Sequence, residues 1–355
     1  MKYCNSCGQK NADDANFCGN CGKAFSTTST RNHSPKSSWV NHINDYVGND
    51  KPADLNWRVL FTDVLKKHTK TEAENIFICG TKSTTPTLDR VSQQWPHPWL
   101  YSRVFLMFAA AFFLLYICCS YFGNGNAIPG LIMVGSFTVP LTGLILFLEV
   151  NAYRNISLYD ISIIFLVGGC ASLVITLFFY AIIGMSNNGA LLVGIIEEVG
   201  KAVIVYYFIK RLNKNKILPG LLIGAAVGAG FAAFESAGYA FNYLIQHGWN
   251  TMMDVIFLRG FLTPGGHVAW AAITGAAIAI ASKDEGKIST DVFMNRKFIR
   301  LFIIPVLLHA LWDSPLSHIG SEVFLLPIAL TLFVWIVVLI LINMGLSEIA
   351  KHKKG

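Results

Sequence analysis

Charged residues are scarce in this chain. Asp, Glu, Lys and Arg make up 14% of its 355 residues, whereas 53% of the residues are hydrophobic. Soluble globular proteins carry about 25% charged residues, so the composition excludes an ordinary soluble enzyme and predicts a polytopic membrane protein. The net charge of +7 does not indicate nucleic-acid binding, because the basic residues lie mostly in short loops between apolar runs. No cleavable signal peptide is expected either, since the first residues are polar and include cysteine.

Lysine and arginine are almost missing from the loops on one side of the predicted membrane domain. The loops FGNGN, GMSNNG and LSHIGSE contain neither residue, and the long connection before residue 264 contains only Arg259. The opposite loops and the tail are basic, which predicts a multi-pass protein of the cell membrane with both termini in the cytoplasm. About eight apolar runs are long enough to cross a bilayer. They lie near residues 103–122, 128–148, 160–184, 189–209, 217–245, 264–282, 299–317 and 322–346.

Two CxxC pairs open the chain, formed by Cys4 with Cys7 and by Cys18 with Cys21. Four thiolates in this spacing are typical of a structural zinc site without an open coordination position. The alternative, two disulfides, requires an oxidising compartment. We therefore predict a zinc ribbon over residues 1–25 that would bind a cytoplasmic protein partner, and no nucleic acid.

The remaining sequence divides by composition. Residues 26–50 are predicted to be a flexible linker, because they are polar and rich in Ser and Thr. A cytoplasmic juxtamembrane segment of short helices follows at 51–94, then the transmembrane domain at 95–350 and a basic tail at 351–355. The fold class is thus an all-α polytopic membrane protein preceded by a small zinc ribbon and a helical juxtamembrane segment.

Three patterns describe the juxtamembrane segment. One predicted helix face contains Trp57, Leu60, Phe61, Val64 and Leu65. Thr69 and Glu72 have the spacing of a capping box and predict the start of a second helix. An interfacial aromatic belt is expected from Trp95, Trp99 and Tyr101.

The fourth apolar run contains three charged residues: Glu197, Glu198 and Lys201. Each such charge costs roughly 2.5–3.5 kcal/mol near the centre of a membrane helix, so carboxylates there are usually functional. Lys201 lies three and four residues after the two glutamates and can neutralise one of them while the other faces elsewhere. A structural ion pair between two spans is the alternative interpretation.

Later runs add Glu235, His267, His309 and Asp313. His309 and Asp313 are four residues apart and share a helix face. Because consecutive spans run in opposite directions, these groups and Glu197 are expected at one depth in the outer half of the bilayer. Each has a simpler explanation, such as a satisfied core histidine or an interfacial cap, but their common depth predicts one site.

A desolvated glutamate beside a second carboxylate suits general acid–base chemistry, and opposing imidazoles suit stabilisation of an oxyanion. No serine or cysteine has a clear histidine partner, so hydrolysis by glutamate-activated water is the favoured mechanism. His267, His309 and a glutamate are also zinc ligands, which keeps a metal-dependent variant open. The alternatives from other classes are a proton-coupled transporter and a non-catalytic membrane scaffold.

Four motifs occur in order: EEVGK at 197–201, FAAFE at 231–235, a segment from Arg259 that ends in GGH at His267, and HALWD at 309–313. Together they resemble the PrsW family of intramembrane proteases, which belongs to the clan of the CAAX prenyl endopeptidases and bacteriocin-immunity membrane proteins. The resemblance implies a helical membrane protease that cleaves a membrane-protein substrate near the extracytoplasmic side, for example an anti-sigma factor. It also implies the site residues: Glu197, Glu198, Glu235, His267, His309 and Asp313 as catalytic groups, with Lys201 and Phe231 in support.

Overall fold

The computed structural model describes residues 2–3, 10–11, 38–49, 51–52, 54–183, 189–318 and 325–352. The chain forms two compact units, residues 1–41 and 42–355. In the first unit, strands β1 (Lys2–Tyr3) and β2 (Lys10–Asn11) pair antiparallel, with Lys2 opposite Asn11. The four cysteines of the predicted zinc site lie outside the described residues.

The described helices follow in chain order. They are α1 (Ser38–Val47), α2 (Lys70–Phe77), α3 (Leu100–Ser120), α4 (Ile128–Val150), α5 (Leu158–Ile163), a π-helical turn (Ile164–Gly168), α6 (Gly169–Ile183), α7 (Ala190–Leu212), α8 (Ile217–His247), α9 (Trp249–Leu262), α10 (His267–Asp284), α11 (Arg296–Trp312) and α12 (Leu325–His352). Short 3-10 turns connect several of them.

The structure bears on three predictions for the segment before the first span. The capping box is confirmed: Thr69 accepts a hydrogen bond from the Glu72 amide, and Glu72 accepts one from the Thr69 amide. The helix face over 57–65 is wrong, because only one 3-10 turn forms at Trp57–Leu60 and Leu65 is 93% exposed. The predicted linker 26–50 contains helix α1, in which Trp39, Ile43 and Val47 recur every four residues.

Trp99 also differs from the expected interfacial belt. Its side chain is buried and stacks on His68, with ring centroids 3.7 Å apart. The backbone amides of Trp99, Leu100 and Tyr101 donate to the Glu149 carboxylate at 2.8–2.9 Å. A carboxylate from the end of α4 therefore satisfies the free amides at the start of α3.

Six helical segments among the described residues are long and apolar enough to cross a membrane. They are Leu100–Ser120, Gly125–Val150, Leu158–Ile183, Ile217–His247, Trp249–Asp284 and Leu325–Lys351. The other two predicted spans correspond to α7, which carries three charges close together, and to α11, which has 17 residues. A count of eight spans therefore stays a prediction, and the all-helical membrane fold is confirmed.

Helices α8 and α10 form the centre of the bundle. A Cβ atom at Gly224 would overlap the backbone of Ala271, and one at Gly228 would overlap the carbonyl of His267. These glycines let the two helix backbones touch. The first residue of α10, His267, is thereby held against the middle of α8, and this contact positions the site.

Candidate active site

The charged residues of α7 are almost completely buried. The side chains of Glu198 and Lys201 are 0% exposed and that of Glu197 is 8% exposed. Lys201 Nζ donates to Glu198 Oε1 at 2.6 Å and lies 3.7 Å from Glu197 Oε2. The spacings predicted that Lys201 neutralises one glutamate while the other faces elsewhere. Glu198 is the neutralised one, but the ammonium also faces Glu197.

His267 connects α7 to α8. Its Nδ1 lies 2.8 Å from Lys201 Nζ, and its Nε2 lies 3.1 Å from Glu235 Oε2. Because the lysine ammonium has only protons to offer, Nδ1 accepts and Nε2 carries the hydrogen that Glu235 receives. Lys201 and Glu235 thus fix both the tautomer and the orientation of this ring.

His309, near the end of α11, closes the cluster. Its Nδ1 is 2.9 Å from Glu198 Oε1, while its Nε2 lies 3.5 Å from Glu197 Oε2 and 3.2 Å from Asp313 Oδ2. The ring stacks on Trp270 at 4.6 Å between centroids and lies 5.0 Å from the ring of His267. With carboxylates at both nitrogens, His309 either carries two protons or shares Nε2 with a cation.

All six predicted catalytic side chains therefore converge, together with the supporting pair. Lys201 Nζ lies 4.2 Å from the centre of the Phe231 ring, which covers the ammonium on its apolar side. The alternative, a structural ion pair between two spans, involves fewer groups than the structure brings together here, since His267 and His309 contact the α7 charges from two different helices.

A cavity of about 510 Å³ opens onto this cluster. Glu197, Glu235, His267, His309 and Asp313 line it, whereas Glu198 and Lys201 lie behind them. Of the two adjacent glutamates, only Glu197 reaches the space in which a substrate would lie. Glu198 instead holds His309 from behind.

Three residues at the site were not among the site residues predicted from the sequence. Arg259 of α9 contacts the Glu235 carboxylate and donates from Nε to Ser236 Oγ at 2.9 Å. Tyr180 of α6 donates to Glu197 Oε1 at 3.0 Å, and Trp270 covers His309. A signal existed only for Arg259, which is the one Lys or Arg in the connection before residue 264 and lies at the start of the segment that ends in GGH.

The cluster has a donor set that fits a divalent metal. Ligand atoms of Glu197, His267 and His309 lie within 4.8 Å of one another. Glu197 Oε2 is buried and accepts no hydrogen bond from the described residues. The cluster also holds four carboxylates against two permanent cations, Lys201 and Arg259, so a divalent cation in place of the second proton on His309 would balance its charge. Ligation by His267 requires one of its two present partners to move, since both nitrogens are engaged.

Comparison with known proteins gives matches over two parts of the chain, the N-terminal residues and most of the second half. Residues 157–342 match the model of the PrsW family of intramembrane metalloproteases, and residues 3–25 match a zinc-ribbon domain. Protease PrsW of Halalkalibacterium halodurans is 26% identical over 147 residues, which are 41% of this chain and 61% of that protein. The match thus spans less than two thirds of the relative's length. No solved structure matches the chain significantly.

Proposed function

This chain belongs to the PrsW family of intramembrane metalloproteases, and we propose that it is an endopeptidase that hydrolyses a peptide bond of a membrane-protein substrate. The observation that carries the proposal is the convergence of Glu197, His267 and His309 on one cavity within a membrane-spanning bundle. A buried carboxylate beside two imidazoles is costly inside a membrane, and such groups usually serve a function.

Glu197 acts on the attacking water. Its Oε2 accepts no hydrogen bond within the part of the chain that the structure describes, while its Oε1 is held by Tyr180. As water oxygen bonds to the scissile carbonyl carbon, Glu197 takes its proton and then delivers it to the departing amine nitrogen as the C–N bond breaks. Hydrolysis needs no further reactant.

The imidazoles stabilise the negative charge that develops on the carbonyl oxygen. His267 is oriented by Lys201 and Glu235, and His309 by Glu198 and Asp313. Donors held toward a developing oxyanion are usually the largest single contribution to such reactions. Donation by His267 requires its Nε2 hydrogen to turn from Glu235 to the substrate oxygen, because Nδ1 accepts from Lys201. Glu198, Lys201 and Arg259 therefore act as positioning residues.

A divalent metal held by Glu197, His267 and His309 would supply Lewis-acid polarisation of the carbonyl and a bound water of lowered pKa. In either form of the mechanism Glu197 is indispensable. The donor set and the excess of carboxylates favour the metal-dependent form.

The location of the substrate bond follows from the predicted topology. With both termini in the cytoplasm, the cluster lies toward the extracytoplasmic side, since His267 begins α10 and His309 lies at the end of α11. We propose a single-span membrane protein, such as an anti-sigma factor, as the substrate. The zinc ribbon is proposed to bind a cytoplasmic protein.

The test compares the new N-termini of membrane proteins in cells that express the wild type, Glu197→Gln or Glu285→Gln. Loss of a general base removes about 10²–10⁴-fold in rate, so cleavage products should disappear with Glu197→Gln. Glu285 is exposed and lies outside the cavity, and Glu285→Gln should cleave like the wild type. Wild-type cleavage by Glu197→Gln at equal expression contradicts the proposal.

Metal content of the purified full-length chain separates the two forms of the mechanism. The metal-dependent form predicts that His309→Ala loses one equivalent of metal per chain, while the zinc of the ribbon stays. If the metal content is unchanged, the metal-dependent form is wrong and the glutamate mechanism remains.

A further inference from the structure

A second cavity lies at the opposite end of the bundle from the candidate active site. Its volume is about 270 Å³, and it is bordered by the start of α8 and α11, the end of α10 and α12, and the residues after α1. Five basic residues line it, Lys51, Lys283, Lys297, Arg300 and Lys351, against two acidic ones, Asp284 and Glu348.

The acidic residues are already used within the cavity wall. Glu348 lies 3.3 Å from Lys283 Nζ and 3.4 Å from Lys216 Nζ, and Asp284 lies 2.8 Å from Lys297 Nζ. Lys51, Arg300 and Lys351 form no ion pair within the part of the chain that the structure describes. The cavity thus has three surplus positive charges, which suits an anion.

An apolar groove continues from the basic cavity along α11. Arg300 is followed on the same helix face by Ile303, Leu307 and Leu311, and these three line a groove of about 500 Å³ with residues of α1 and α12. Tyr46 links the groove to Arg300, which lines the basic cavity. It lines the groove, its hydroxyl donates to the Arg300 carbonyl at 3.0 Å, and the Arg300 guanidinium lies 5.6 Å from the centre of its ring.

The dimensions match one half of a bilayer. From Arg300 to Leu311 an α-helix rises about 16 Å, and half of the hydrocarbon core is about 15 Å thick. The charged part lies where several helices end, and the apolar part extends inward from it. A soluble anion would use the cavity alone, whereas a phospholipid would use both parts.

We propose that this cavity and groove form a binding site for an anionic phospholipid. Its phosphate contacts Lys51, Arg300 and Lys351, and one acyl chain lies along Ile303, Leu307 and Leu311. Basic pockets between membrane helices commonly recognise anionic head groups. The site shares no residue with the candidate active site and does not depend on the proposed protease activity.

Native mass spectrometry of the full-length protein in detergent tests the site, with phosphatidylglycerol, phosphatidylcholine and glycerol 3-phosphate as probes. Phosphatidylglycerol should bind most tightly, and glycerol 3-phosphate should not displace it. Each lost charge should weaken binding about fivefold, so Arg300→Gln with Lys351→Gln should weaken it about 25-fold. Lys51→Gln with Lys351→Gln should have a similar effect and leaves the contact between Arg300 and Tyr46 intact.

The matched control is Lys287→Gln with Arg296→Gln. These residues are exposed in the same region and do not line the cavity. The control removes two positive charges, as each test variant does. The control should bind phosphatidylglycerol like the wild type. Equal losses in the control and in both test variants would overturn the proposal, as would equal binding of phosphatidylcholine or full displacement by glycerol 3-phosphate.

Discussion

Lys201 is the residue on which the arrangement of the cluster depends. Its ammonium contacts Glu198 and His267 and faces Glu197, and none of it is exposed. Removal of one partner from a buried ion pair commonly costs 3–5 kcal/mol, because the remaining charge is left unpaired. The lysine is thus expected to stabilise the folded protein as well as to position the catalytic groups.

Arg259 gives a prediction at the residue scale. Its guanidinium contacts Glu235, which in turn holds His267 Nε2. We expect Arg259→Gln to lower kcat about tenfold or more with little change in KM, because it disturbs the orientation of a catalytic group rather than substrate binding. Cleavage kinetics on a purified substrate provide the measurement.

Two conservative variants serve as controls for Arg259. Arg259→Lys keeps the charge and should retain most of the activity, whereas Ser236→Ala removes only the 2.9 Å contact to Nε and should have a smaller effect than Arg259→Gln. If Arg259→Lys is as inactive as Arg259→Gln, then the positive charge beside Glu235 is not the contribution of the arginine.

At the scale of elements, the contact between α8 and α10 decides whether the site forms. Gly228 touches the His267 carbonyl, so any side chain there pushes α10 away from α8. The same displacement would separate His267 from Lys201 and Glu235. The close contact at Gly228 is therefore required for the hydrogen bonds of His267 with Lys201 and Glu235.

Gly228→Ala should destabilise the protein by about 1–3 kcal/mol, the usual cost of overpacking, and should reduce activity. Gly238 provides the control on the same helix, since among the described residues no side chain and no backbone outside its own stretch of helix lies within 4 Å of the position of its Cβ. Gly238→Ala should leave the protein unchanged or stabilise it by about 1 kcal/mol. Thermal unfolding in detergent measures both, and equal melting temperatures for the two variants would contradict this account.

At the scale of the whole molecule, orientation in the membrane determines which side of the cell the site serves. The basic loop between α10 and α11 and the loop after α3, which lacks Lys and Arg, are predicted to lie on opposite sides. Single cysteines at these loops distinguish the two orientations.

We expect a membrane-impermeant maleimide to label Asn124→Cys in intact cells and to label Lys287→Cys only after permeabilisation. Both positions are exposed, and serine at Cys118, Cys119 and Cys170 removes the background from the membrane domain. Labelling of Lys287→Cys in intact cells would reverse the orientation and move the candidate active site to the cytoplasmic side.

Several features followed from local sequence. The scarcity of charge and the apolar runs predicted a helical membrane protein, and the helical spacing predicted that Lys201 neutralises one of the two glutamates. The capping box at Thr69 was equally local and was confirmed. Helix α9 and the burial of Trp99 were not predicted, because both depend on packing against distant parts of the chain.

The sequence by itself determined which side chains carry charge inside the membrane domain, since hydropathy and helical spacing depend only on neighbouring residues. Tertiary structure alone decided that Glu197 and not Glu198 reaches the cavity, that Arg259 joins Glu235, and that a basic cavity continues into an apolar groove beside α11. These features depend on the rotation of each helix about its axis. That rotation is set by contacts such as Gly228 with His267, which join residues far apart in the chain.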